Sequence, residues 1–192
     1  IIIGHGIDSI NATADNRLNI GGWIIGRDGM ITKPLQPAFS VHLNQVDQTN
    51  IAEGVAVYTK WTHARFDQNS DFTAATGNGQ GADGSNLKGV FTAPVTGKYQ
   101  LQTQIRLDVI DTAADYYTIV IETTLENYQH VIPVSLLLSA DPEFMSFAFS
   151  VLADMDEDDT ASVFVYQEGS GVVQTEIEGD KEFTHFSGYL AC

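Results

Sequence analysis

Five carboxylates stand within six residues, at Asp154, Asp156, Glu157, Asp158 and Asp159. So dense a set repels itself unless water or a cation screens it. Ca²⁺ accepts carboxylate and carbonyl oxygens in loose geometry, so a turn can supply a site. The run reads either as a solvated acidic turn or as a weak Ca²⁺ site shared between subunits. It lacks the EF-hand spacing and the glycine that such a loop needs. Asp67, Asp71 and Asp83 are sparser candidates. The remaining reactive side chains form no catalytic set. His5, His42, His63, His130 and His185 are scattered, without HExxH or another zinc spacing. No serine lies in GxSxG, and the sole cysteine, Cys192, is the last residue. Gly77-Asn78-Gly79-Gln80-Gly81 lacks the Lys-Ser/Thr of a phosphate loop and a helix after it, so it reads as a surface loop. Trp61 and Tyr128 could stack on sugar rings, although aromatics on sheets more often serve the core.

The totals narrow the function classes. Of 192 residues, 25 are acidic and nine basic, for a net charge of −16. Extended contact with nucleic acid needs clustered Lys and Arg, so it is excluded, and anionic membranes are disfavoured. No apolar run approaches the roughly 20 residues that span a bilayer. Hydrophobic content is 43%, enough for a sizeable core. One cysteine permits no intrachain disulfide. The chain opens on Ile1-Ile2-Ile3 without methionine, which reads as a fragment or a processed product rather than a signal peptide.

The elements that must position these residues are strands. Tyr99, Leu101, Ile105, Leu107 and Val109 alternate with Gln100, Gln102, Gln104, Arg106 and Asp108, the pattern of a strand with one buried and one wet face. Pro94 and Gly97 flank a tight turn before it. Phe39, Val41 and Leu43 alternate likewise. Residues 55–66 read as one strand region with a bulge, and 67–86 as a long polar loop. Residues 116–125 form another strand. Residues 131–138 are apolar but broken by Pro133, which predicts an edge or a bend. Further strands are expected over 144–152, 161–167, 172–177 and 183–191. About ten short strands with no helix predict an all-β sandwich or jelly roll.

Residues 1–36 differ. Their apolar pieces are two or three residues long, separated by Gly, Asn and Asp. A single chain could hardly bury Leu18, Ile20, Trp23, Ile24 and Ile25. Several chains wound together could, which predicts a β-rich stalk packed on those five residues. Asp28-Gly29 suits a hairpin turn. Pro34 and Pro37 bracket a linker, with the head domain over 37–192.

With these pieces placed, residues 37–192 resemble the globular domain of the C1q/tumour-necrosis-factor superfamily. Pro37-Ala38-Phe39-Ser40-Val41 resembles its opening strand and Phe66-Asp67 to Phe72 the segment before its loop. Gly89-Val90-Phe91-Thr92-Ala93-Pro94-Val95-Thr96-Gly97-Lys98-Tyr99 is similar to its G-x-F-T-x-P-x-x-G-x-Y motif. Phe186-Ser187-Gly188-Tyr189-Leu190 matches its close. The resemblance implies a ten-stranded jelly roll assembling as a homotrimer, in some members with Ca²⁺ near the threefold axis. By position that ion would fall to Asp154, Asp156 and Asp159. Residues 14–32 resemble the shaft ends of bacteriophage tail fibres, and no collagen repeat is present. Together these imply a non-enzymatic, trimeric fibre tip on a virion, attaching to a bacterial surface glycan or outer-membrane protein. Its receptor-binding loop would carry Asn69, Asp71, Asn78, Asp83 and Asn86. The alternatives are a secreted C1q-like lectin or adhesin of a cell, or a glycan depolymerase, which would need paired carboxylates in a groove.

Overall fold

The computed structural model describes residues 2–3, 18–27, 30–76, 88–169 and 175–192. Asn78, Asp83 and Asn86, expected in the receptor loop, lie outside them. A small sheet comes first: β1 (Ile2–Ile3), β2 (Leu18–Ile20), β3 (Ile24–Arg27) and β4 (Met30–Thr32), paired in that order. The head then runs through β5 (Ala38–His42), β6 (Gln48–Ile51), β7 (Val57–Tyr58), β8 (His63–Gln68), β9 (Phe72–Thr73) and β10 (Val90–Thr92). It continues with β11 (Gly97–Asp108), β12 (Ala114–Thr123), β13 (Asn127–Ile132), a helical turn α1 (Val134–Leu137), β14 (Phe144–Met155), β15 (Thr160–Gly169), β16 (Thr175–Ile177) and β17 (His185–Leu190). One sheet has the order β6-β16-β11-β17-β5-β8, with β14 on the other side of β11. The second has the order β13-β12-β15-β10-β9, with β7 also on β15. The expected sandwich is therefore present, with its core between the two sheets.

Two expectations are corrected. Residues 55–66 are not one strand. β7 pairs with β15 in one sheet, whereas β8 pairs with β5 in the other. The chain crosses between them at Thr59–Thr62, where Trp61 is fully buried. Burial also removes Trp61 as a sugar platform. The bend at Pro133 is a single turn of helix, since proline ends the β13 ladder and suits the start of a helix.

The motif segments meet in space. Phe39 stacks on Phe91 at 4.5 Å and on Phe72 at 5.3 Å, and Phe186 approaches Phe39 edge-on at 5.0 Å. Tyr99 packs against Phe91 and donates its hydroxyl hydrogen to the Val95 carbonyl at 2.7 Å, tying the strand to the turn before it. The motif glycines are where backbone must approach this cluster. A Cβ on Gly89 would lie 2.6 Å from the Trp61 side chain. One on Gly188 would lie 2.6 Å from Leu101 and 2.9 Å from Phe39, and one on Gly97 2.7 Å from the Cys192 carbonyl oxygen.

On the opposite face of the β11 sheet a row of histidines crosses three strands, His185 on β17, His42 on β5 and His63 on β8. The His42 and His63 rings stack at 6.0 Å, and His42 Nδ1 accepts the Asn44 N–H. Burial, then Arg65, His63 and Lys181, hold the His42 pKa below its usual value. Burial and Arg65 do the same for His185. Folding therefore favours the neutral rings, and their contribution is full above the ordinary histidine range and lost as pH falls through it.

Two outcomes follow for stability. Gly188→Ala is expected to cost about 1–3 kcal/mol by overpacking, read as a lower melting temperature. Wild-type melting temperature should fall as pH drops from about 7 to 5.5, and His42→Gln should flatten that slope.

Candidate functional site

The acidic turn docks on the turn between β10 and β11. Ala93 donates its N–H to the Asp159 carbonyl and Asp158 donates to the Ala93 carbonyl, at 2.8 and 2.9 Å. Glu157 N–H donates to the Thr96 hydroxyl at 3.0 Å. Within the turn, Asp159 Oδ2 accepts the Asp156 N–H at 2.8 Å, and Asp158 sits at φ 72°. Asp154 lies on β14 opposite Lys98 and pairs with its ammonium at 2.5 Å. Asp156 and Asp159 are thus brought together, while Asp154 faces a lysine. Among the described residues no group of three His, Cys, Asp or Glu is placed to hold a metal.

The described part of the loop after β8 is bound to the linker. Gln68 donates its amide to the carbonyls of Lys33, Pro34 and Gln36, and Asn69 donates to that of Leu35. Asp67 accepts the N–H groups of Asp71 and Phe72. Burial, then the Asp67 charge, raise the Asp71 pKa from its usual value, against a lowering by the Asn69 side chain. Asn69 therefore lies where the head meets residues 33–36, whereas Asp71 is held by Asp67 and by the Thr92 N–H.

The small sheet carries the five expected packing residues. Gly21 and Gly22 both take positive φ, the requirement of a type I′ turn, and Trp23 N–H closes it on the Ile20 carbonyl. Leu18, Ile20, Ile24 and Ile25 are half-buried, but Trp23 is 71% exposed. Trp23 and Ile24 line an apolar groove of about 690 Å³ with Leu35 of the linker and Pro94, Val95 and Leu190 of the head.

A second apolar surface lies at the sheet edges. Among the described residues β13 pairs with β12 alone and β14 with β11 alone, so one side of the sandwich ends in two edge strands. His130 of β13 stacks on Phe149 of β14 at 5.7 Å and lies 6.4 Å from Phe147. Tyr128, Met145 and Val151 join them, half-buried against the core. No Asp, Glu, Lys or Arg occurs in β13, or in β14 before Asp154. This seam was not singled out in the sequence. Its signal was there as two uncharged strands in a chain of net charge −16.

No protein-family model matches the chain, and no curated protein matches it significantly. Solved structures do. The crystal structure of murine APRIL at pH 8.0 aligns with a TM-score of 0.51 at 11% identity, covering 81% of this chain and 98% of that one. The pH 8.5 structure of murine APRIL gives 0.50 at 11% identity with the same coverage. The globular domain of zebrafish complement 1qA gives 0.48 at 13% identity, again over 81% and 98%. At such identities the likeness concerns the fold alone, and with the antiparallel sandwich described above it makes this chain an all-β jelly roll similar to that of murine APRIL.

Proposed function

We propose that the chain is the receptor-binding tip of a homotrimeric bacteriophage tail fibre, attaching the virion to a glycan or outer-membrane protein of the host bacterium, and that it is not an enzyme. The observation that carries the reading is the uncharged seam of β13 and β14. A long edge strand without charge invites pairing or packing unless something covers it. A second copy of the chain is the economical cover. The small sheet supports the same conclusion, since Trp23, Met30 and Ile31 are 71%, 61% and 70% exposed and short strands of this kind gain burial by winding together. The fold likeness supports a binding module. Three identical heads would turn weak single-site affinity into avidity. A calcium ion at Asp154, Asp156 and Asp159 would draw further ligands from neighbouring copies.

Light scattering is expected to give the mass of three chains, with or without a chelator, because the seam is apolar. A melting temperature that falls on chelation would be the signature of the calcium site. Phe149→Glu should shift the mass toward one chain, and a wild-type monomer would sink the fibre-tip reading. Incubation with host polysaccharide is expected to release no new reducing ends. Their appearance would establish a depolymerase instead.

A further inference from the structure

The outward face of the second sheet holds a feature the sequence reading did not reach. On β12, Tyr117, Ile119 and Ile121 enter the core, so Tyr116, Thr118, Val120 and Glu122 face out. The ladder aligns these with the outward residues of β15 and β13. One row is Val131–Thr118–Tyr166, the next Gln129–Val120–Phe164–Tyr58. Tyr116 lies opposite Glu168. Thr118 and Val120 are buried beneath the half-buried rings of Tyr116, Phe164 and Tyr166. The result is a groove of about 450 Å³ with an apolar floor and aromatic walls.

The rings are held in place by neighbours. Phe164 meets Tyr58 edge-on at 5.4 Å. The Tyr58 hydroxyl donates to Glu122 at 2.9 Å, and Lys88 sits 4.0 Å over the Tyr58 ring while pairing with Glu122 at 3.2 Å. At the other end the Tyr166 hydroxyl donates to Glu168. A site fixed in this way loses little freedom on binding.

We propose that this groove binds a neutral oligosaccharide. Ring faces suit the C–H faces of pyranoses. The polar groups beside it are chiefly acceptors: the Glu122 carboxyl accepts from Tyr58, Lys88 and Ser162 and that of Glu168 from Tyr166, and sugar hydroxyls bring donors for the remaining lone pairs. Gln129 can serve either role. Charge excludes anionic glycans, because the carboxylates flank the groove, the one cation in the Glu122 network is Lys88 and it is already paired, and the chain carries −16. A purely apolar partner would leave the Gln129 amide in the groove lining unmatched. Tyr128 and His130 point from the other face of β13, toward the seam, so closing the seam between copies leaves each groove open. The assignment deepens the attachment reading and rests on it only for its biological setting.

The test uses the full chain. Cellotetraose, chitotriose and a β-galactobiose are titrated by calorimetry and by saturation-transfer NMR, with sialyllactose as the anionic probe. At least one neutral probe is expected to bind while sialyllactose does not. The Tyr116→Ala/Tyr166→Ala double variant should bind about tenfold more weakly or worse, with solution mass unchanged and a single cooperative melt at a somewhat lower temperature. Tyr166→Phe, which keeps the ring, should bind as wild type. Absence of binding by all three neutral probes at millimolar concentration, equal binding of sialyllactose, or undiminished affinity of the double variant would each overturn the groove. Adsorption to a panel of bacterial cells separates the two readings. Cells retained equally by wild type and double variant overturn the groove and leave attachment standing. Saccharide binding without retention of any cell overturns attachment and leaves the groove standing.

Discussion

The register of β11 is the constraint from which the head takes its order. All twelve residues pair with β14 on one side, and on the other β17 takes residues 99–104 and β16 takes 107–108. With both edges fixed, alternation leaves no choice of face. Tyr99, Leu101, Ile105 and Leu107 enter the core with Thr103, while Gln100, Gln102, Gln104, Arg106 and Asp108 do not. A slip of one residue would exchange the two sets and bury five polar or charged side chains. The wedge at the start of the strand prevents it. Gly97 lets the backbone pass the C-terminal carbonyl, and the Tyr99 hydroxyl is tied to Val95.

Where local pattern and tertiary demand agree, the chain could be read directly. The alternation from Tyr99 onward is one case. The turn at Pro94 and Gly97 is another, and so are the segments around Phe39, Phe91 and Phe186, which converge on one cluster. Misreadings arose where long-range packing overrides local pattern. Nothing in residues 55–66 says that Tyr58 and His63 belong to different sheets; the crossing is set by Trp61 filling the core beside Gly89 and Phe186. Residues 33–36 looked like a free linker, yet Gln68 and Asn69 tie down their carbonyls. What composition could not show of the acidic run is its local bonding, Asp159 within its own turn and Asp154 beside Lys98. The seam left only a trace in the sequence, the absence of charge from β13 and most of β14, and the outward groove left none, because its residues meet only through the pairing of β12, β13 and β15.

Charge distribution gives these surfaces their meaning. Negative charge spread over most of the chain makes casual contact between copies unfavourable. The β13–β14 seam is exempt, and it is also where the backbone of two edge strands is unpaired by neighbouring strands. Soluble sandwiches ordinarily guard such edges with lysine, proline or a bulge. β14 has none of these over its ten residues before Asp154. Repulsion elsewhere and an uncharged seam would favour the closed symmetric oligomer proposed above. An open chain of contacts would need two different complementary patches, both free of charge. The apolar groove around Trp23 lies where residues 23–36 meet the head, so an assembly of the proposed kind could cover it along with the seam and still leave the outward sheet faces to solvent.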